Sequence, residues 1–475
     1  KAGLDDGILA RGQTMAPMPQ EWRPFARALL PEFGLPIAGN VAWASLYLPG
    51  NAGIRAFFSM VAAPQIANPV LAAIAVWAVF GIASRLWPDR PDAAVISALL
   101  LATSSQVLFM AMTSYAMTPH LALNLVWLNL FLRNDRLGHA GAIAVGALAC
   151  GLHQIVFHPL FVAPFIAHLW LIRRWKTALL YSASYGLICL LWVSYRSLSA
   201  AYMNTAFDHQ GSVNSGLGLL VQHALGQLTQ MSVGSLELIA LNLVRFAAWQ
   251  NPLVLPLLVR AMTAKAASGK RSLPVPLRLG SISLGSAVLV AALFMPYQGH
   301  GWGYRYVHGY VGVVCLVATY GWLQIGPRIG EALGRAAWRP VMAVTATVTI
   351  VLLPVQAVMA RATITPYAQA SSAIDKAGTE IVLVDPLGLV YPSDLVRNDP
   401  YLRNAPKILL LTALSDRDAE AICARGPVGL FGRAQGEALG IVSFDYDPAF
   451  ELAIKRDRLI DSLRRRDCLR DIVIR

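Results

Sequence analysis

The stretch Gly299–Tyr310, GHGWGYRYVHGY, sets Arg305, two histidines and four aromatic rings between two strongly apolar segments, 279–296 and 307–325. A cationic and aromatic loop between two membrane spans predicts a site of chemistry at a bilayer surface. We expect the rest of the chain to place this loop opposite an acidic pair, Asp5 and Asp6, at one face of the membrane.

The composition around this loop is that of a membrane protein. Of the 475 residues, 56% are hydrophobic and only 14% are charged, whereas soluble domains carry roughly 25% charge. The chain has too few charges to cover a soluble surface. The net charge of +13 is explained by basic loops on the cytoplasmic side of a membrane, and we expect no nucleic-acid partner.

Apolar segments near the length that spans a bilayer, about 20 residues, recur along the chain. The sequence therefore predicts an all-α polytopic membrane protein with ten transmembrane helices here, and an eleventh upstream of Lys1 in the full-length protein. The ten segments are 68–84, 93–112, 115–132, 140–152, 155–172, 177–195, 243–259, 279–296, 307–325 and 341–359.

Basic residues alternate between successive loops. The loops after the first, third, fifth, seventh and ninth segments hold clusters such as Arg173, Arg174 and Lys176, while the intervening loops hold only Arg196 and Arg305. Because basic loops stay in the cytoplasm, both ends of this chain are predicted to lie outside it. This assigns residues 1–53 to a first extracytoplasmic loop and residues 54–360 to the transmembrane domain.

After residue 360 the long apolar segments end, and short apolar runs between charged residues follow. This pattern predicts that the tail, 361–475, is a small α/β extracytoplasmic domain. EIVLVDP (380–386), KILLLTAL (407–414) and VGLFG (428–432) are typical of short strands. Residues 415–426, capped by Ser415 or Asp416, and residues 448–468 are predicted helices. Cys423 and Cys468 could form a disulfide in an oxidising compartment.

The predicted topology brings polar residues to the outer face. Arg305 suits bidentate binding of a phosphate, and Arg55 is a second candidate cation. The other candidate substrate-binding residues are aromatic or imidazole side chains that could equally form an aromatic belt or ordinary interfacial contacts: Trp302, Tyr304, Tyr306, His308, His120, His153 and His158. A divalent metal held with Asp5 and Asp6 is an alternative, although no metal-binding spacing is present.

Several of these stretches together resemble the GT-C superfamily of membrane glycosyltransferases, which includes protein mannosyltransferases and the aminoarabinose transferase of lipid A. LDDGILARGQ (4–13) is similar to the acidic motif of the first external loop. SYAMTPHLALNLVWLNLFLR (114–133) resembles a later span, and YRYVHGY (304–310) resembles the late external Arg-Tyr motif. The resemblance covers roughly residues 1–360, and it leaves open whether the acidic motif is Asp5-Asp6 or lies upstream of Lys1.

The resemblance implies inverting transfer of a sugar from a polyprenyl-phosphate donor to a glycan, lipid or protein acceptor. The reaction would take place at the non-cytoplasmic face of a bacterial inner membrane, with the N-terminal loop and the C-terminal domain in the periplasm. Asp5 or Asp6 would be the general base, Arg305 would bind the donor phosphate, and no cofactor would be needed. A transporter or flippase of a lipid-linked glycan, or a non-catalytic membrane scaffold, is the alternative.

Overall fold

A computed structural model describes residues 15–29, 34–202, 233–263, 273–295, 297–299, 301–325 and 331–474. The chain divides into two compact units. Among the described residues, the helical unit comprises 47–196 and the described parts of 233–354. The α/β unit comprises the described part of 15–46, residues 197–202 and residues 355–474.

The helices of the described residues, in chain order, are α1 (Ala26–Leu29), α2 (Gly50–Val61), α3 (Ala67–Leu86), α4 (Pro91–Ala102), α5 (Ser105–Ala111), α6 (Met117–Arg133), α7 (Arg136–Cys150), α8 (Phe157–Leu171), α9 (Trp175–Tyr202), α10 (Val233–Ala248), α11 (Val254–Thr263), α12 (Val275–Phe294), α13 (Val311–Leu323), α14 (Glu331–Thr347), α15 (Leu353–Asp375), α16 (Asp418–Cys423), α17 (Arg433–Ala438) and α18 (Glu451–Arg465).

The strands are β1 (Ala16–Pro17), β2 (Gly34–Pro36), β3 (Ala42–Ser45), β4 (Ile381–Val384), β5 (Lys407–Leu410), β6 (Val428–Phe431) and β7 (Leu469–Asp471). Strands β1 to β3 form a small antiparallel sheet in the order β1-β3-β2. Strands β4 to β7 form an all-parallel sheet in the order β5-β4-β6-β7.

Every predicted apolar segment overlaps a helix, and the multi-span prediction is confirmed. Within the described residues, 5 helices are long and apolar enough to cross a membrane, or 6 if the bent pair α4 and α5 is one span. The other segments form helices that are shorter or interrupted, such as α7, α8 and α11. The count of ten spans therefore stays a prediction.

Two of the predicted spans are interrupted at polar sequence. The segment 93–112 bends by 56° between α4 and α5, at Thr103 and Ser104. The segment 243–259 ends one helix at Ala248 and starts the next at Val254, around Asn251-Pro252, because the residue before a proline disfavours the helical conformation.

The two interruptions are hydrogen-bonded to each other. Asn251 Nδ2 donates to Thr103 Oγ1 at 2.7 Å, and Ser104 Oγ donates to Gln250 Oε1 at 3.0 Å. The backbone N–H of Gln106 donates to the carbonyl of Trp249 at 2.9 Å. Non-helical backbone inside a membrane protein requires such internal partners because lipid offers none.

The α/β unit buries both faces of its parallel sheet. Alternate residues of a strand point to opposite faces, so Val382 and Val384 pack with Ala370 and Ile374 of α15. On the other face, Ile381 and its neighbours pack with α18 and with residues of the N-terminal segment. The sequence did not predict that residues of the first external loop would join this core.

The three predicted strands of the tail and its two helices are present, and the structure adds β7. The predicted cap of the first helix was wrong: α16 begins at Asp418, and the Asp418 carboxylate accepts hydrogen bonds from the N–H and hydroxyl of Ser415. Arg417 directly precedes the helix, and no described side chain accepts a hydrogen bond from its first turn, so neither Ser415 nor Asp416 is the cap. The disulfide between Cys423 and Cys468 is present, as predicted.

A buried ion pair fixes the start of α18 to the end of β4. Asp385 is fully buried, and its Oδ2 accepts from Arg456 Nε at 2.7 Å. Removing the partner of a buried charge leaves that charge uncompensated, which is strongly destabilising.

We therefore expect Arg456→Leu to lower the stability of the α/β unit by about 3 kcal/mol. Arg458→Leu, at an exposed position of the same helix, is the matched control and should have little effect. Adding Asp385→Asn to Arg456→Leu should recover part of the loss. Thermal unfolding of the purified protein measures all three, and equal midpoints for Arg456→Leu and Arg458→Leu would contradict the assignment.

Candidate functional site

The loop that ends at Tyr310 continues directly into α13, the helix at the centre of the helical unit. A tight 3₁₀ turn spans Arg305–Tyr310. The apolar segment Arg305–Leu323, which contains this turn and α13, is 89% buried. Gly303 has φ +67, and a Cβ there would lie 2.3 Å from Gln106 Oε1. Only glycine allows the loop to approach Gln106 this closely.

Gln106 is hydrogen-bonded to the backbone at the start of the turn through both the nitrogen and the oxygen of its side-chain amide. Its Nε2 donates to the carbonyl of Tyr304 at 3.0 Å, and its Oε1 lies 3.4 Å from the Tyr304 N–H. Oε1 also accepts from Gln250 Nε2 at 3.0 Å. Gln106 follows the interruption between α4 and α5. Its side chain is therefore bonded both to the interruption between α10 and α11, through Gln250, and to the loop, through Tyr304.

A second amide, Gln298, holds the same part of the loop from its other side. Its Nε2 donates to the carbonyl of Gly303 at 2.8 Å, and its Oε1 accepts from the N–H of Arg305 at 3.0 Å. Both glutamines are buried. Their bonds satisfy consecutive backbone groups on either side of Tyr304, which fixes the path of the chain into Arg305.

A third amide, Asn124 of α6, holds the end of the turn. Its Nδ2 donates to the carbonyl of Gly309 at 3.1 Å, so its Oδ1 is the acceptor for His158 Nδ1 at 2.7 Å. His158 is then protonated on Nδ1, and its Nε2 accepts from the Tyr185 hydroxyl at 2.8 Å. We call Gln106, Gln298 and Asn124 the amide clamp.

The amide clamp presents Arg305 at the surface of the turn between aromatic rings. The guanidinium carbon lies 4.9 Å from the ring centre of Tyr306 and 5.7 Å from that of Tyr115, and Nη2 donates to the Tyr306 hydroxyl at 3.0 Å. The side chain is partly buried. A planar guanidinium held against two rings is suited to binding a phosphate or carboxylate.

The aromatic residues of the loop are packed rather than loosely displayed. Trp302 lies against Trp249 and Phe109, with ring centres 5.2 and 5.8 Å apart, and Tyr306 stacks on Phe157 at 6.2 Å. Tyr304 is fully buried, and burial raises the pKa of its hydroxyl to about 12. Tyr304 therefore stays neutral at physiological pH.

His308 and His120 are buried beside the turn. His308 Nδ1 lies 3.3 Å from Gln106 Nε2 and accepts from it, which leaves the proton of the neutral ring on Nε2. His120 packs against Phe157, with ring centres 5.5 Å apart. The structure thus brings Trp302, Tyr304, Arg305, Tyr306, His308, His120 and His158 into one connected region.

The remaining candidates make separate contacts or lie outside the described residues. Arg55 is buried, and its Nη1 donates to the carbonyl of Pro64 at 3.1 Å. His153 stacks on Tyr47 at 3.8 Å. Asp5, Asp6 and His300 are outside the described residues. Within the part of the chain that the structure describes, no three metal-ligating side chains lie together.

Sequence reasoning missed Gln106, Gln250, Gln298, Tyr115 and Tyr185. A signal for the first two was present. Thr103–Gln106 places four polar residues in the middle of one apolar segment, and Gln250 and Asn251, followed by Pro252, lie in the middle of another. Polar runs inside two predicted spans indicate interrupted helices whose polar groups need partners.

Comparison with known proteins identifies the architecture. No protein-family model matches the chain, and no curated protein matches its sequence. The crystal structure of ArnT from Cupriavidus metallidurans bound to undecaprenyl phosphate matches with a TM-score of 0.50 and 11% identity, covering 86% of this chain and 80% of that one. The chain has the ArnT fold.

The apo crystal structure of the same ArnT also matches, with a TM-score of 0.47 and 12% identity over 92% of this chain and 86% of that one. The predicted resemblance to the superfamily that includes the aminoarabinose transferase of lipid A is confirmed at the level of the fold. At these identities the ArnT match establishes the architecture and assigns no reaction.

Within the amide clamp, substitution of Gln106 should lower the stability of the protein most. Gln106→Leu leaves the backbone of Tyr304 and the amide of Gln250 without their partner, and we expect a loss of about 2 to 4 kcal/mol of stability. The exposed Gln65 is the matched control. A thermal unfolding midpoint of Gln106→Leu equal to that of Gln65→Leu would show that the clamp does not hold the turn.

Proposed function

We propose that the protein is a membrane glycosyltransferase that moves a sugar from a polyprenyl-phosphate donor to an acceptor at the non-cytoplasmic face, with inversion. The observation that carries the proposal is Arg305, held by the amide clamp against Tyr306 and Tyr115. The undecaprenyl phosphate bound to the ArnT structure of the same fold supports a lipid phosphate as the donor class.

Arg305 would bind the donor phosphate and stabilise the charge that develops on it. As the acceptor oxygen bonds to the anomeric carbon, the bond from that carbon to the phosphate oxygen breaks, and polyprenyl phosphate leaves with the electron pair. A guanidinium already positioned before the reaction stabilises this charge without reorganisation. The Tyr306 hydroxyl, 3.0 Å from Nη2, would help to keep the guanidinium in place.

The aromatic side chains would border the rest of the donor. Trp302 and Tyr306 are partly exposed, so a sugar ring or the first isoprene units could lie against them. His308, with its proton on Nε2, would offer a hydrogen-bond donor within the same region. Arg55 and His153 would contact substrate from their separate positions, beside Pro64 and Tyr47.

The general base in this proposal is Asp5 or Asp6. A carboxylate would take the proton of the acceptor hydroxyl during attack, and an acidic residue upstream of Lys1 is the alternative. The acceptor would be a glycan, a lipid or a protein on the periplasmic side of a bacterial inner membrane, and the reaction as written needs no cofactor.

A transporter of a lipid-linked glycan is the second candidate, because Asn124, His158 and Tyr185 place a polar network inside the helical unit. Transport needs no general base, whereas transfer does. Transfer of a labelled lipid-linked sugar by the unsubstituted protein that is lost in Asp5→Asn or in Asp6→Asn would identify the enzyme and its base. Transfer that survives in both would remove the proposed base.

We expect Arg305→Met to weaken binding of undecaprenyl phosphate about 30-fold, which corresponds to about 2 kcal/mol for a lost charged hydrogen bond. Arg305→Lys keeps the charge but not the planar fork and should lie in between. Arg245→Met removes an exposed arginine of α10 as the control. Titration calorimetry in lipid nanodiscs measures the three affinities, and an unchanged affinity for Arg305→Met contradicts the phosphate role.

A further inference from the structure

The α/β unit exposes its large hydrophobic side chains selectively. Beyond residue 364, all the exposed large hydrophobics among the described residues fall in three short stretches after β6 and β7 or at the start of α18. They are Val442, Phe444, Phe450, Leu452, Ile454 and Val473. Val442 is 68% exposed, Phe444 50% and Val473 74%.

These six residues lie at the same edge of the parallel sheet. All four strands run in one direction, so their carboxyl ends share an edge. Val442 and Phe444 are bonded to the segment that follows β4, through Val390 N–H to Val442 carbonyl and Phe444 N–H to Gly388 carbonyl, both at 3.0 Å.

The other members of the set reach the same edge by connectivity. Val473 follows the end of β7. Helix α18 starts beside this edge, where Lys455 Nζ lies 3.5 Å from the carbonyl of Thr412, just past β5, and it returns to the opposite edge before β7 begins. We call the six residues the carboxyl-edge patch.

The opposite edge of the sheet is charged. Ionic residues occur at or a few residues before the strands and at the ends of the two long helices: Lys376, Glu380, Arg403, Lys407, Arg425, Arg464, Arg465, Arg466 and Asp467. The carboxyl edge therefore carries the exposed large hydrophobic side chains of the unit, together with the exposed acidic residues Asp445, Asp447 and Glu451. The opposite edge, separated from it by the length of the strands, carries ionic side chains.

A continuous apolar helical segment places the carboxyl edge relative to the bilayer. Pro340–Ala360, within the candidate span Trp338–Asp375, contains no charged residue. Its roughly 21 residues rise about 32 Å, which matches the hydrocarbon thickness of about 30 Å. Arg361 then marks the point at which α15 leaves the hydrocarbon.

The same helix continues into the core of the α/β unit and contacts the carboxyl edge before it reaches the strands. The Tyr367 hydroxyl donates to the carbonyl of Val390 at 2.5 Å, while Ile374, further along, packs beside the strands. Tyr367 lies about 9 Å beyond Arg361 along the helix. The headgroup layer on each side of a bilayer is about 5 to 8 Å thick. The Tyr367 side chain leans back toward the start of its helix, so its hydroxyl and the edge bonded to it lie in the outer part of the headgroup layer.

We propose that the carboxyl-edge patch is a membrane-contact surface that sits in the leaflet at the Arg361 end of α15. Val442, Phe444 and Phe450 enter the boundary between headgroups and acyl chains, as apolar side chains of interfacial segments do. The nearby Arg433 is already paired with Glu437 and Asp445, at 2.7 and 3.0 Å. The exposed acidic Asp445, Asp447 and Glu451 offset the exposed Lys455 and Arg458 beside the patch, so the contact rests on apolar burial and depends little on anionic lipid. It holds whether or not the protein is a transferase.

Spin labels attached to the full chain in lipid nanodiscs test this surface. Labels at Val442→Cys and Phe444→Cys are compared with one at Lys376→Cys, an exposed residue just past the far end of α15. Unsubstituted protein reports any signal from the native thiols Cys150, Cys189 and Cys315. Collision with oxygen, which concentrates in lipid, is measured against collision with a water-soluble nickel complex.

The proposal predicts an oxygen-to-nickel collision ratio several-fold higher at 442 and 444 than at 376, in both zwitterionic and anionic nanodiscs. A ratio at 442 and 444 equal to that at 376 means that water covers the patch and overturns the proposal. Labels shielded from both reagents mean that protein covers it, which overturns the proposal equally. A label at Phe450→Cys repeats the measurement if either first variant fails to fold.

Discussion

The helical unit depends on how two interrupted helices satisfy their own polar groups. Lipid offers no hydrogen bonds to a broken helix, so the interruptions around Thr103 and Asn251 are paired with each other. Gln106 and Gln250 then extend this pairing to a third segment, the loop before α13. The same requirement that ties two helices together also fixes the loop that carries Arg305.

This arrangement explains why a glycine-rich loop can present a rigid cation. Gly303 allows the chain to approach Gln106 closely, and the amide clamp then bonds the backbone of residues 303, 304, 305 and 309. Binding sites are most effective when their side chains are held in place by a supporting layer of contacts. Arg305 therefore does not need to be ordered by its ligand. Its side chain loses conformational entropy on folding, so that loss does not weaken binding.

Much of the fold was predictable because it follows from local patterns. Uninterrupted apolar segments gave the helices, and short apolar runs bounded by turn residues gave β4, β5 and β6. The amide clamp was not predictable in this way, because Gln106 and Tyr304 are separated by 198 residues. A glutamine in an apolar segment does not by itself indicate which residue it bonds. Likewise, Trp43 donates to the carbonyl of Pro400 across 357 residues, a contact that no local pattern announces. Arg305 could be identified from its sequence context, whereas the groups that position it required the structure.

In the proposed function, the clamped turn presents Arg305 to a lipid phosphate. The most direct measurement is a cryo-electron microscopy structure of the full-length protein in nanodiscs with undecaprenyl phosphate. We expect density for the phosphate within about 3 Å of the Arg305 guanidinium, with the bonds from Gln106 to Tyr304 and from Asn124 to Gly309 unchanged. A phosphate bound elsewhere, with Arg305 still bonded only to its aromatic neighbours, would contradict it.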